Sequence, residues 1–299
     1  MTGSSLPTLP VRDPRGHKGT FGTVTVVGGC APRRHDPTTM LGGPCLSAIA
    51  ALRAGAGLAR LAVPEPLMTG ALTIAPSATG LALPVNADGD IDATGAARAL
   101  RHHATGTVML AGPGLGTGDG VRRLLRSFFE LDACALVLDA DALNALGAMP
   151  DAPDLVRTAA VPIVLTPHIG EFRRLASAIG ITGEARSGAS DLAQRFDATI
   201  VLKSSTTVIA SPSTTHTVDA PNPVLATGGS GDVLAGVIAG LLAQHGTDTP
   251  VHDLAHAGVV AHAAAADAWC AEHQADGGLL AMELADRLPP AIAALRRSS

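Results

Sequence analysis

The chain has no tyrosine, a single tryptophan and five phenylalanines in 299 residues. Its core must therefore be built from Ala, Val, Leu and Ile, and the stacked aromatic platform that grips single-stranded nucleic acid is excluded. Positive charge is short as well. Twenty-one Lys and Arg against 26 Asp and Glu leave a net charge of −5, without the basic excess of a nucleic-acid surface. Nucleotide substrates, held by backbone N–H groups and a few cations, stay compatible. Cys30, Cys45, Cys134 and Cys270 form no C-x-x-C pair and have no histidine at finger spacing. Zinc knuckles and a disulfide framework are thus not indicated, and the four read as buried small hydrophobes. The stretch MTGSSLPTLPVRDPRGHKG has no apolar signal core, and the run Val233 to Ala243 is too short and glycine-rich to span a bilayer. These absences predict a soluble, cytoplasmic protein with neither nucleic-acid nor membrane partners.

What is present is an alternation. With 46% hydrophobic and only 16% charged residues the chain is not disordered. Short apolar runs at Thr23 to Val27, Leu58 to Val63, Thr107 to Ala111, Ala135 to Asp139, Pro162 to Leu165 and Thr199 to Lys203 read as strands. They are separated by helix-like segments at Pro44 to Ala54, Ala93 to His103, Gly118 to Leu131, Glu171 to Ile179 and Ser187 to Phe196. Thr207 to Ala210 and Thr214 to Val218 follow in quick succession as an antiparallel edge, and Asp232 to Gln244, His252 to Glu272 and Met282 to Arg296 read as helices. The pattern predicts an α/β fold: a mostly parallel central sheet covered by helices on both faces, with a short antiparallel edge. One domain over residues 16–299 is expected, behind a flexible segment 1–15.

In such sheets ligands sit beyond the carboxyl ends of the strands. Five strands run into informative residues there: Gly28-Gly29, Gly112-Pro-Gly-Leu-Gly116, Asp139-Ala-Asp-Ala-Leu-Asn144, Thr166-Pro-His-Ile-Gly-Glu171 and Lys203-Ser-Ser-Thr-Thr207. All five should open on one rim. Taken singly, each has a plain explanation. Gly112 to Gly116 lacks G-x-G-x-x-G spacing and could be an ordinary tight turn; of Asp139 and Asp141, one could cap a helix; His168 could be a satisfied turn histidine; Arg53 could snorkel from a buried helix. Lys203 is different, because a cation ending an apolar strand needs an anionic partner.

The most informative segment is Ala226-Thr-Gly-Gly-Ser-Gly-Asp232, leading into Val233 to Ala243. A helix N-terminus presents unpaired N–H groups and partial positive charge to an anion, and glycines admit a phosphoryl group to the backbone. Asp232 there is either a helix cap, worth roughly 1 kcal/mol, or a base. A cap needs no glycine run, which is entropically unfavourable.

Taken together, Phe21 to Gly29, Ala50-Ala-Leu-Arg-Ala-Gly-Ala-Gly57, Gly112 to Gly116, Leu138 to Asn144, Leu165 to Glu171 and Leu225 to Gly236 resemble the NAD(P)H-hydrate dehydratase family, in order from about residue 16 to 290. The resemblance implies a ribokinase-like fold and repair of hydrated NADH or NADPH, NADHX or NADPHX in the S form, driven by a nucleotide. The Gly-Ser-Gly-Asp form is similar to the bacterial, ADP-dependent branch, which releases AMP and phosphate. The resemblance makes Asp232 the catalytic base and gives Gly229, Ser230 and Gly231 the N–H groups for the transferred phosphoryl. Lys203, Ser204, Ser205, Thr206 and Thr207, with Gly231, would hold the adenine nucleotide. Gly43, Gly114, His168 and Asp232 would contact the hydrate, and Glu171 would serve magnesium through water. It further implies ADP as co-substrate, a separate epimerase as partner, and a homo-oligomer such as a tetramer.

The chain departs from the family pattern at Ser204, where Gly usually follows the Lys, at Gly43, where Ala is frequent, and in the short loop Val218 to Leu225. Two other classes are open. A kinase of a thiazole or pyrimidine alcohol would share Gly-x-Gly-Asp, but His168 and Asp139 to Asn144 speak against it. A silent nucleotide-binding regulator would lose Asp232 or Glu171, and both are present.

Overall fold

The computed structural model describes residues 6–34, 36–181, 185–246 and 248–297. Residues 1–5 of the segment expected to be flexible lie outside the described residues. Within its remainder, Leu9 is buried and donates its N–H to the Leu295 carbonyl, and the Arg12 guanidinium lies 3.5 Å above the Phe21 ring.

Nine strands form one sheet: β1 (Thr23–Val27), β2 (Leu58–Pro64), β3 (Thr79–Leu83), β4 (Thr107–Ala111), β5 (Ala135–Leu138), β6 (Ile163–Leu165), β7 (Thr199–Leu202), β8 (Thr206–Ala210) and β9 (Thr215–Asp219). Their spatial order is β3-β2-β1-β4-β5-β6-β7-β8-β9. All pairings through β7 are parallel, and β8 and β9 add antiparallel. The expected parallel sheet with an antiparallel edge is therefore present. The strands β1, β4, β5, β6 and β7 are buried on both faces, which is why they read as continuous apolar runs. Period-two alternation splits each strand between two cores. Val24, Val26, Val108, Leu110, Val137 and Val201 face one helical layer; Val27, Met109, Ala111, Leu136, Leu138 and Leu202 face the other.

The first layer comprises α1 (Gly42–Ala54), α9 (Ser230–His245), α10 (Val251–His273), α11 (Ala281–Asp286) and α12 (Leu288–Arg297). The second holds α3 (Ala93–Arg101), α4 (Asp119–Phe128), α5 (Asp141–Gly147), α6 (Ala152–Thr158), α7 (Ile169–Ala178) and α8 (Ala185–Phe196), while α2 (Met68–Ile74) precedes β3. The single helix expected over Met282 to Arg296 is broken at Arg287. Pro289 and Pro290 lack the N–H that a continuous helix needs, and fit only in a first turn. The cysteine expectation needs correcting too: Cys30 and Cys45 are buried, but Cys134 is exposed and Cys270 half-buried.

Two features of this frame place the site. β1 pairs with β2 on one side and β4 on the other, so the strand order reverses between β1 and β4 and leaves a crevice at their carboxyl ends. Helices α1 and α9 also approach unusually closely. A Cβ at Gly236 would lie 2.3 Å from the Ser47 carbonyl oxygen, and one at Gly240 2.7 Å from that of Ala51. That approach lets Ser47 Oγ donate to the Asp232 carbonyl at 2.8 Å and brings the start of α1 against the start of α9.

Candidate active site

The five strand ends predicted to share a rim do so, because β1, β4, β5, β6 and β7 are mutually parallel. At its centre is α9. Its first residue is Ser230, and Gly229 precedes it in the left-handed region at φ 91°. Asp232 is thus the third residue of the helix, and the alternative that it is the N-cap is corrected: Gly229 is the cap. Among the described residues the Asp232 carboxylate accepts no hydrogen bond from the protein, and the N–H groups of Gly231 and Asp232 meet no protein acceptor. Ser230 N–H makes a long 3.4 Å contact to the Thr227 carbonyl. From beneath, His262 of α10 is buried and donates Nε2–H to the Ser230 carbonyl at 3.0 Å. Burial lowers the His262 pKa to about 4, so it acts as a neutral strut.

Gly43, in the first turn of α1, faces Asp232 so closely that a Cβ would lie 3.1 Å from Oδ1. That turn has neither a side-chain cap nor an acidic residue. Two uncapped helix starts therefore converge on one carboxylate. Burial nevertheless pushes Asp232 up to about 7, with repulsion from Asp139, Asp141 and Glu171 adding and Lys203 opposing. A carboxylate poised near neutrality is suited to take and give a proton.

The anionic partner of Lys203 is Asp139, whose Oδ1 accepts from Nζ at 2.6 Å. Asp139 is 1% exposed, so this cation is first of all the counter-ion of a buried carboxylate. Reading the strand-end lysine through a ligand alone misses that contact. Nζ also reaches the helix start, 3.3 Å from where a Gly231 Cβ would be. Two local devices hold Asp139. Ala140, next along, has φ 49°, a region disfavoured for alanine and typical of functional sites. Gly112 lets the neighbouring loop pass, since a Cβ there would strike the Asp139 carbonyl oxygen at 1.7 Å. Asp141 instead braces the β4 loop, accepting from Gly116 N–H at 2.8 Å.

His168 caps α7. Its Nδ1 accepts from the N–H groups of Gly170 and Glu171 at 2.9 and 3.3 Å, while Glu171 Oε2 accepts from His168 N–H at 2.9 Å. This reciprocal box explains His168 without a ligand, yet the ring also borders the cavity. Burial foremost, with Lys203 nearby, lowers the His168 pKa and leaves Nδ1 free to accept. Glu171 is buried and pushed up to about 7, chiefly by that burial. His168→Ala should lower stability by about 1 kcal/mol in urea unfolding, and His168→Asn should restore most of it. Equal losses in both variants would show that ring packing, not capping, matters.

A cavity of about 710 Å³ opens beside this cluster, between the β7–β8 turn, the Ala220–Thr227 loop and the starts of α9 and α10's inner face. Of the residues assigned to nucleotide, Lys203, Ser204, Ser205, Thr207 and Gly231 line it, as do Ser230 and His168. Thr206 does not; its hydroxyl donates to Asp219 at 2.7 Å. Ser204, the departure after the lysine, has no left-handed φ, and its hydroxyl donates to the Thr206 carbonyl at 2.6 Å. Gly43, Glu171 and Asp232 lie outside the cavity lining, and the nearest neighbour of a Cβ on Gly114 would be Met40.

Residues 24–290 match the model of the NAD(P)H-hydrate dehydratase family. The chain belongs to that family. This dehydratase-family chain is 40% identical over 286 residues to a bifunctional NAD(P)H-hydrate repair enzyme of Salinibacter ruber, covering 94% of this chain and 50% of that protein. It thus spans about half the length of such bifunctional relatives. An ADP-dependent (S)-NAD(P)H-hydrate dehydratase of Neisseria meningitidis is 36% identical over 90% of this chain and 84% of its own length. Among solved structures, the Bacillus subtilis ADP/ATP-dependent NAD(P)H-hydrate dehydratase co-crystallized with ATP and Mg2+ superposes with TM-score 0.76 at 30% identity, covering 96% of this chain and 95% of that one. The expected fold is also shared with a ribokinase-like superfamily protein of Enterococcus faecalis, TM-score 0.75 at 24% identity, covering 96% of this chain and 92% of that one.

Proposed function

We propose that this chain dehydrates the S epimer of NADHX and NADPHX to NADH and NADPH, consuming ADP and releasing AMP and phosphate. The observation that carries the reading is Asp232: a carboxylate with no protein hydrogen bond, poised near neutrality between two helix starts, beside a cavity large enough for a nucleotide. The hydroxyl of the hydrate, next to a ring nitrogen, leaves poorly as hydroxide. Asp232 removes its proton, and the oxygen attacks the terminal phosphoryl group of ADP while the bond to AMP breaks. The ring nitrogen then expels phosphate, and loss of a proton from the adjacent carbon restores the double bond. No redox step is involved.

Phosphoryl transfer depends on positioning and charge neutralisation. Of the Gly229, Ser230 and Gly231 N–H groups that the resemblance gives the transferred phosphoryl, that of Gly231 has no protein acceptor, nor has that of Asp232, and both would face it, with Lys203 supplying a fixed cation. Three carboxylates repel Asp232 against one lysine, a hard-oxygen donor set that fits a divalent ion. Glu171, through water, and Asp139 would hold magnesium, which supplies positive charge to the phosphates when bound. With this activity go a cytoplasmic location, a homo-oligomer, and an epimerase partner for the R form; the doubled length of the bifunctional relatives accords with a second activity elsewhere in those chains.

Purified protein with magnesium and ADP should regenerate reduced nicotinamide from the hydrate, read by its near-ultraviolet absorbance, with AMP and phosphate in equal amounts. A stable phosphorylated vitamin alcohol, with no NADH formed from NADHX, would make the chain a kinase instead.

A further inference from the structure

No three His, Cys, Asp or Glu ligand atoms converge around Glu171 or Asp232, but among the described residues they do so elsewhere. His216, near the start of the edge strand β9, meets His252 and Asp253 of the first turn of α10, with one ligand atom from each within 4.8 Å of the others. Because β9 runs parallel to β7, its start lies at the end of the sheet opposite the active-site rim. The dehydratase reading uses none of these residues.

We propose that His216, His252 and Asp253 bind a late divalent transition metal, with zinc the best match. Imidazole with one carboxylate suits Zn2+, Co2+, Ni2+ or Cu2+ rather than magnesium or calcium. A second observation is independent of that convergence. The His252 side chain is 10% exposed, and its Nε2 is buried with no hydrogen-bond partner, while Nδ1 lies 3.2 Å from Asp253 Oδ1. A buried ring nitrogen with no protein partner is uncommon in folded chains. The protein alone thus leaves the His252 ring short of a partner, and its Nδ1 with Asp253 Oδ1 is the pair placed to share an ion.

The remaining geometry supports the same reading. Zinc bonds of about 2.0–2.2 Å place donors about 3.3 Å apart. His252 Nδ1 and Asp253 Oδ1 already meet that spacing, and closure needs the His216 nitrogen, within 4.8 Å of them, to draw in. His256, one helical turn on, stacks on His216 with ring centroids 4.5 Å apart. An entry path exists: a cavity of about 550 Å³ between the Leu6–Val11 segment and α10 is lined by His216, Asp253 and His256.

The test uses the full chain without a histidine tag, stripped of metal by chelator and titrated with Zn2+ against a chromophoric competitor. One equivalent should bind at micromolar affinity or tighter. His216→Gln, His252→Gln and Asp253→Asn should each weaken it tenfold or more, and Asp232→Asn should not. Cobalt should give visible bands in the wild type that fade in His252→Gln. If the histidine variants fail to fold, Asp253→Asn decides by itself, because its half-exposed position tolerates the change and zinc should raise the wild-type Tm but not the variant's. Absence of a stoichiometric equivalent, or unchanged affinity in any folded variant of the three, overturns the proposal. Binding is measured rather than turnover, so failure here leaves the dehydratase reading untouched.

Discussion

Asp232→Asn is expected to yield a folded protein that binds ADP normally and turns over the hydrate at least about a hundredfold more slowly. The isosteric amide cannot accept the hydroxyl proton, yet it fills the same space against Gly43. Stability should move the other way. The wild-type carboxyl titrates near 7 in the folded state and 3.8 otherwise. Below about pH 4 both states hold the proton, so the substitution changes little. Between about 4 and 7 the folded state binds a proton that the unfolded state has released, and wild-type stability falls as pH rises through that window. At pH 8 the variant should therefore be the more stable, with a ceiling of about 4 kcal/mol at roughly 1.4 kcal/mol per unit. Chemical unfolding at pH 4 and pH 8, alongside steady-state turnover, checks both halves. A variant with near wild-type turnover would remove Asp232 from the chemistry. In the wild type, kcat/KM should rise with pH through about 7, because the base must be ionised to act.

The contrast between loss of turnover and gain of stability is what a site built against its own electrostatics produces. Burial raises Asp232 and Glu171, and neighbouring carboxylates raise both further. Such crowding is legible in the sequence only in part. Asp139, Asp141, Glu171 and Asp232 could each be placed at a strand or helix end because apolar runs buried on both faces mark β4 to β7 clearly. Their mutual arrangement could not, since it depends on which strands are neighbours. Lys203 and Asp139 are 64 residues apart and meet only because β5, β6 and β7 are consecutive in the sheet. The strut His262 left a fainter signal: a histidine among alanines on a helix that must bury its small residues.

Elsewhere the fold was missed where propensity is weak. β3 reads Thr-Gly-Leu-Ala-Leu and is largely exposed at the sheet edge, so neither burial nor β-branching marks it. Helices α5 and α6 have seven residues each, bounded by Gly147, Pro150 and Pro153, too short for a helical period to show. The cap-or-base ambiguity at Asp232 is likewise set by three residues of register. A helix starting at Ser230 rather than Val233 moves the carboxylate from the cap to the third position, where it faces α1.

Lys203→Met should be the most damaging single change to the fold of the site. It removes the cation 2.6 Å from a carboxylate that is 1% exposed, and leaves that charge buried and unpaired. Breaking a buried pair costs about 3–5 kcal/mol. The lower end is expected here, because the Lys203 side chain keeps 18% exposure and water can partly replace it. Asp139→Asn in the same chain should recover most of the loss, since the neutral amide needs no counter-ion. ADP binding measured without magnesium, which Asp139 would otherwise help to hold, separates the two roles of the lysine. If Nζ also reaches the phosphates, calorimetry should show affinity weakened about tenfold or more in both the single and the double variant, a charge-assisted contact being worth about 1.5–3 kcal/mol. Recovered stability with restored affinity would confine Lys203 to holding Asp139. Unchanged stability in the single variant would mean that the buried carboxylate draws its compensation from elsewhere.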